Sequence, residues 1–154
     1  AVGADEAYPV LAPDPQAETT FEESKLQWEL GKSSRPGQLR AFYRELLRLR
    51  REVPALTRLD NASLAATVIA PGVLELRRWC DASQVIALLN FTAEPATVTV
   101  KPGAGSWRKL LDATDALWGG DPSALPVQLT DGAILDGLVL PPYAVAVYSV
   151  GVPA

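Results

Sequence analysis

The hydrophobic period changes once along this 154-residue chain, and that change restricts the fold more than any other feature. Before about residue 57, apolar side chains recur every three or four positions, as on one face of a helix. After about Asn61 they recur every second position, as on strands. The spacing predicts strands over residues 64–69, 73–79, 84–91, 96–100, 107–111, 127–129, 134–140 and 143–150. Turn formers separate them at Pro71-Gly72, Asp81-Ala82-Ser83, Glu94-Pro95, Pro102-Gly103, Gly119-Gly120, Asp131-Gly132 and Pro141-Pro142. Short strands at such intervals predict an antiparallel sandwich or barrel. Thr97-Val98-Thr99-Val100 alternates as a half-exposed strand should, whereas residues 85–89 are apolar on both faces and read as a central strand.

Before the switch, Pro9, Pro13 and Pro15 mark residues 1–18 as loop. Thr20 and Glu23 have the spacing of a capping box, which predicts a short helix from 21 to about 28 with Phe21, Leu26 and Trp28 available for burial. A second helix is expected over 38–53, ended by Pro54. Leu39, Phe42, Tyr43, Leu46, Leu47, Leu49 and Val53 give it an apolar stripe of roughly 160°. Burying each large apolar side chain contributes about 1.5–3 kcal/mol, so such a helix must pack on something substantial. Arg50 interrupts the stripe. Either its stem lies along apolar surface with the guanidinium in solvent, or it pairs with a carboxylate from a neighbouring domain.

The residue inventory narrows the chemistry. There is no histidine, so Ser-His-Asp or Cys-His catalysis and a zinc site built on histidine are excluded within this chain. Cys80 is the only cysteine, which rules out an intrachain disulfide and reads as a half-buried structural thiol. A net charge of -4 makes nucleic acid a poor partner. No apolar run approaches the ~20 residues of a membrane span, and residues 1–5 lack the features of a signal peptide, so a cytoplasmic location is expected. With no methionine at all, the chain reads as cut from something longer. Neither a metal nor a cofactor is expected.

Glycoside hydrolysis needs two carboxyl groups facing each other across the bond. Glu22, Glu23, Glu29, Glu45, Glu52 and Asp121 read instead as solvated charges on helix faces or in turns. Among four tryptophans, Trp79 and Trp107 sit in strand patterns and are expected in the core. Trp118, in the loop Leu117-Trp118-Gly119-Gly120, is the candidate for stacking on a sugar ring. The sequons at Asn61 and Asn90 read as coincidental.

A series of landmarks adds to this reading. Ala12-Pro13-Asp14-Pro15-Gln16, Thr20-Phe21 and Ser24-Lys25-Leu26-Gln27-Trp28 come first, followed by the helix from Leu39 to Arg51 and Pro54-Ala55-Leu56. Then come the stretch Ile86 to Thr92, the stretch Leu110 to Asp115 with Trp118-Gly119-Gly120, and finally the stretch Leu140 to Tyr148. In that order they resemble the carboxy-terminal part of malto-oligosyltrehalose trehalohydrolases, a branch of the α-amylase superfamily; glycogen-branching enzymes have similar pieces. The resemblance implies a mainly β fold: an antiparallel Greek-key β-sandwich over residues 58–154, preceded over 1–57 by a loop and the last helices of a (β/α)8 barrel. It implies an intact enzyme acting on maltooligosyl trehalose or a related α-glucan. It also implies a missing barrel packed on Leu39, Phe42, Leu46 and Leu49. None of the family's catalytic motifs matches a position in this chain, so the chain alone is expected to be inactive. A stand-alone carbohydrate-binding sandwich and an immunoglobulin-like interaction module are the other classes the pattern allows.

Overall fold

A computed structural model describes residues 14–25, 34–58, 60–129 and 134–151. Among these residues three α-helices precede the strands: α1 (Glu18–Ser24), α2 (Ser34–Glu52) and α3 (Pro54–Thr57). Eight strands follow: β1 (Leu64–Ala70), β2 (Val73–Cys80), β3 (Ser83–Asn90), β4 (Ala96–Val100), β5 (Trp107–Asp112), β6 (Gln128–Leu129), β7 (Leu135–Leu140) and β8 (Val145–Val150). The expected mainly β, antiparallel architecture is present. Six strands form one sheet in the order β1-β2-β3-β8-β5-β6, and β4 pairs with β7 in a second sheet. Connections cross between the layers after β3, β4, β6 and β7, which lets β8 insert between β3 and β5 in Greek-key fashion.

Alternation along the strands builds two separate cores. Inward residues of the six-stranded sheet (Val73, Ile86, Leu88, Trp107, Ala146 and Tyr148) meet Val98, Val100, Leu138 and Leu140 from the second sheet. The opposite, outer face carries Val85 and Leu111, which cluster with Leu49, Val53 and Ala55 from α2 and α3. A strand in the middle of this sheet is therefore covered on both sides, which accounts for the unbroken apolar run 85–89.

Three expectations about the helices need correction. The capping box does not form: Ala17 is the N-cap of α1 and offers no side-chain cap, while Thr20 lies within the helix. Asp14 closes the turn that precedes the helix instead. Its Oδ1 accepts from the Gln16 amide at 2.9 Å, and its carbonyl accepts from the Thr20 hydroxyl at 2.7 Å, so the chain turns before Thr20 can cap anything. Phe21 is exposed rather than buried; Leu26 and Trp28 lie outside the described residues, as does the Asp131-Gly132 turn. Pro54 does more than end α2, since it occupies the first turn of α3, where its missing N–H has no partner to lose.

Candidate functional site

The outer face of the six-stranded sheet is only partly covered. Directly opposed residues in an antiparallel pair share a face. The registers Ala66↔Leu76, Leu76↔Ala87 and Ala87↔Val147 therefore run a band of hydrocarbon across β1, β2, β3 and β8. Leu49 of helix α2 and Val53, which follows the helix, are buried against this face of the sheet at 3% and 2% exposure. Beside the helix lies an open groove of about 420 Å³, walled by Tyr43, Leu46 and Leu47 on one side and Leu76, Ala87 and Val147 on the other. Two guanidinium groups, Arg50 and Arg78, also line it, and no carboxylate does so among the described residues. Arg78 donates through Nη2 to the Arg58 carbonyl, while its buried Nε finds no acceptor among the described residues. This arrangement offers apolar contact and cationic donors, which is the chemistry of binding.

The four residues assigned to a missing barrel divide between two environments. Leu39 and Leu46 are exposed. Leu49 is buried and Phe42 half-buried within this chain, so these two are corrected: the sandwich itself covers them. The stripe was too wide for one partner. Its Leu49–Val53 edge faces β3 and β5, Tyr43 and Leu47 wall the groove, and Leu39 is exposed. Within this chain Arg50 is exposed at the rim of the groove.

Trp118 lies in a short 3-10 turn, Ala116–Trp118, held by Asp115, whose Oδ1 accepts from the Leu117 amide at 2.9 Å. Its ring meets Phe42 edge-on, with centroids 5.4 Å apart, and is half-buried. Trp107 is in the core as expected, but Trp79 is 40% exposed. It lies next to the end of β2, where the registers Trp79↔Gln84 and Cys80↔Ser83 close the hairpin. Cys80 is buried beside Asp81. At the Asn90 sequon the side chain is consumed internally: Nδ2 donates to the carbonyls of Glu94 and Pro141 at 2.8 and 2.9 Å, and Oδ1 accepts from the Thr92 amide and hydroxyl.

Reading the carboxylates as solvated missed Asp112, which is buried. A bulge in β5 puts Lys109 opposite Tyr148 and Leu111 opposite Val147, so that Lys109 and Asp112 share the inner face. Lys109 Nζ donates to Ser123 Oγ at 2.6 Å and to the Leu125 carbonyl at 2.9 Å; Ser123 donates to Asp112 Oδ2, and Thr114 donates twice to Oδ1. Burial pushes the Asp112 carboxyl up. Hydrogen bonds from Ser123 and Thr114 and the charge of Lys109 outweigh it, holding the group below the usual carboxylate range. Burial, with the Asp112 charge adding to it, pushes the Tyr148 phenol up, and its hydroxyl donates to the Pro126 carbonyl at 3.0 Å. The cluster fastens the 113–127 loop to the sheet, and Lys109 and Asp112 also line a small hollow of about 120 Å³ together with Trp118. Arg78 was also overlooked, although the outward series Leu74, Leu76, Arg78, Cys80 carries the signal, a charge where the strand calls for an apolar side chain.

Residues 61–147 match the family described as Domain of unknown function (DUF3459). The chain is 37% identical over 107 residues to a malto-oligosyltrehalose trehalohydrolase of Rhizobium sp. (strain M-11), covering 70% of this chain and 17% of that protein. It is also 37% identical over 86 residues to the malto-oligosyltrehalose trehalohydrolase of Deinococcus radiodurans, covering 56% of this chain and 14% of that one. Among solved structures, the trehalulose synthase MutB from Pseudomonas mesoacidophila MX-45 is similar at 27% identity, covering 71% of this chain and 17% of that one, with a TM-score of 0.46. The chain thus spans about one sixth of the length of the relatives it matches.

Proposed function

The chain belongs to the DUF3459 family, and from that premise we propose that it is the noncatalytic carboxy-terminal part of a trehalose-releasing glycoside hydrolase. The complete enzyme cleaves the α-1,4 bond next to the terminal trehalose unit of maltooligosyl trehalose. The observation that carries this reading is the 37% identity to two trehalohydrolases, spread over 107 and 86 residues but confined to 17% and 14% of their lengths.

The molecule's surface supports a scaffolding role. Residues 58–154 form the terminal domain, and residues 1–57 are the last segment of the catalytic barrel domain. That domain covers the exposed edge of α2 at Leu39 and Leu46, and the sandwich braces α2 from the other side through Leu49 and Val53. Trp118 is the side chain we assign to any sugar contact, through the part of its indole that Phe42 leaves open.

The test is an assay of the longer polypeptide that carries this segment, with maltooligosyl trehalose as substrate. Free trehalose is the expected product, the 154-residue chain alone should release none, and Trp118→Ala should raise KM with little change in kcat. Formation of α-1,6 branches without trehalose would replace this reading with a branching enzyme.

A further inference from the structure

Almost any apolar neighbour could cover a hydrocarbon wall, but the groove beside α2 also carries charge. Arg50 and Arg78 line it among ten other residues, none of them acidic. Carboxylates on nearby elements are already engaged: Glu45 and Glu52 both pair with Arg48, and Glu75 pairs with Arg77. Arg78 stands opposite Leu64 on β1 and Val85 on β3, so its stem lies among apolar side chains. Its Nε is buried without an acceptor among the described residues, a state that is costly for a charged donor in low-dielectric surroundings.

We propose that this groove receives an apolar segment from the catalytic part of the same longer polypeptide, and that the segment brings an aspartate or glutamate to pair with Arg50 and Arg78. The inference rests on the reading above and gives its docking surface a specific chemistry. The supply of such a segment follows from the relatives, of whose length this chain spans about one sixth. A second copy of this chain is the poorer occupant. A two-fold contact through the groove would bring the same two arginines against each other, with no acid in the lining to separate them. The exposed wall residues Tyr43, Leu46 and Leu47 supply the apolar contact, and the guanidinium pair fixes the register of what lies against them.

The experiment uses two dyes on the 154-residue chain: 8-anilinonaphthalene-1-sulfonate, which is apolar and anionic, and Nile red, which is apolar and uncharged. The anionic dye should bind saturably. Arg50→Gln, a change at an exposed position, should weaken it about tenfold, as loss of a charged hydrogen bond implies, and leave Nile red unchanged. Arg78→Gln should act in the same direction, and Arg108→Gln on exposed β5 should change neither dye. In the longer polypeptide the arginine-dependent dye site should be absent, because the groove is filled. Three results would overturn the proposal: equal dye binding in wild type and Arg50→Gln, an arginine-dependent site that persists in the longer polypeptide, or a chain that sediments as a dimer and binds neither dye. None of these readouts needs catalysis. If the longer polypeptide releases trehalose while dye binding to the 154-residue chain is indifferent to Arg50, this inference alone is refuted; a longer polypeptide that releases no trehalose, with the Arg50 dependence present in the 154-residue chain, refutes the proposed function alone.

Discussion

Lys109 and Asp112 would fall on opposite faces of a regular strand, because they are three positions apart. The extra residue of the β5 bulge turns both inward, where Asp112 accepts from Ser123 and Thr114 and balances Lys109. Asp112→Asn keeps the shape and removes the charge, leaving Lys109 with 12% side-chain exposure and no counter-ion. The expected cost is about 3 kcal/mol near neutral pH, read from urea unfolding. The folded carboxyl is held below its ordinary value, so its contribution is complete above the unfolded carboxylate range and is lost as pH falls through the folded value. The gap between wild type and variant should therefore close on acidification; a pH-independent gap would mean that Asp112 acts through shape alone. Sequence pattern could not reveal this cluster, since a bulge leaves no mark on hydrophobic alternation. Gly120 is a similar case: it reads as a generic turn residue, yet a Cβ there would sit 2.0 Å from the Thr114 carbonyl oxygen. Asn90 was partly legible as a strand end, and its hydrogen bonds to three separate loop residues were not.

Among the elements, the strands were the most readable. The eight expected strands all occur, with ends displaced by one or two residues, because period-2 patterning and Gly or Pro turns both mark them directly. Helix α2 was found for the same reason, by its 3.6-residue period. What the stripe could not show was how it would be shared. Exposed apolar residues such as Leu39 and Leu47 look identical in sequence to buried Leu49, since both kinds sit on one wide face. Thermodynamics separates them. Leu49→Ala should cost about 2–5 kcal/mol, the range for a buried leucine whose cavity does not collapse. Leu39→Ala and Leu47→Ala should each stay within about 0.5 kcal/mol in the chain alone. Urea midpoints of the three variants test this, and equal losses at all three positions would mean that the whole stripe is covered.

For the whole molecule, the question is where the folding unit begins. The family match begins at residue 61, and the sequence divides at about residue 57, yet the second core ignores both boundaries. Leu49, Val53 and Ala55 lie on one side of the division, and Cys80, Val85 and Leu111 on the other. Ser83 Oγ accepts from the Ala55 amide at 3.3 Å, so a polar contact crosses it as well. Cutting at residue 58 would bare the outer faces of β3, β5 and β8. Loss of Leu49 and Val53 alone removes roughly 3–6 kcal/mol at 1.5–3 kcal/mol per large apolar side chain, against a total domain stability of about 5–15 kcal/mol. A 58–154 polypeptide should therefore melt well below the full chain, or fail to fold, whereas a 34–154 polypeptide should melt close to it. If 58–154 matched the full chain in thermal midpoint, α2 and α3 would be passengers on the sandwich. If the expected order holds, the last helices belong mechanically to the terminal domain whatever domain they are assigned to by sequence, and a partner that grips the open edge of α2 is joined to the sandwich through a single helix buried on its other side.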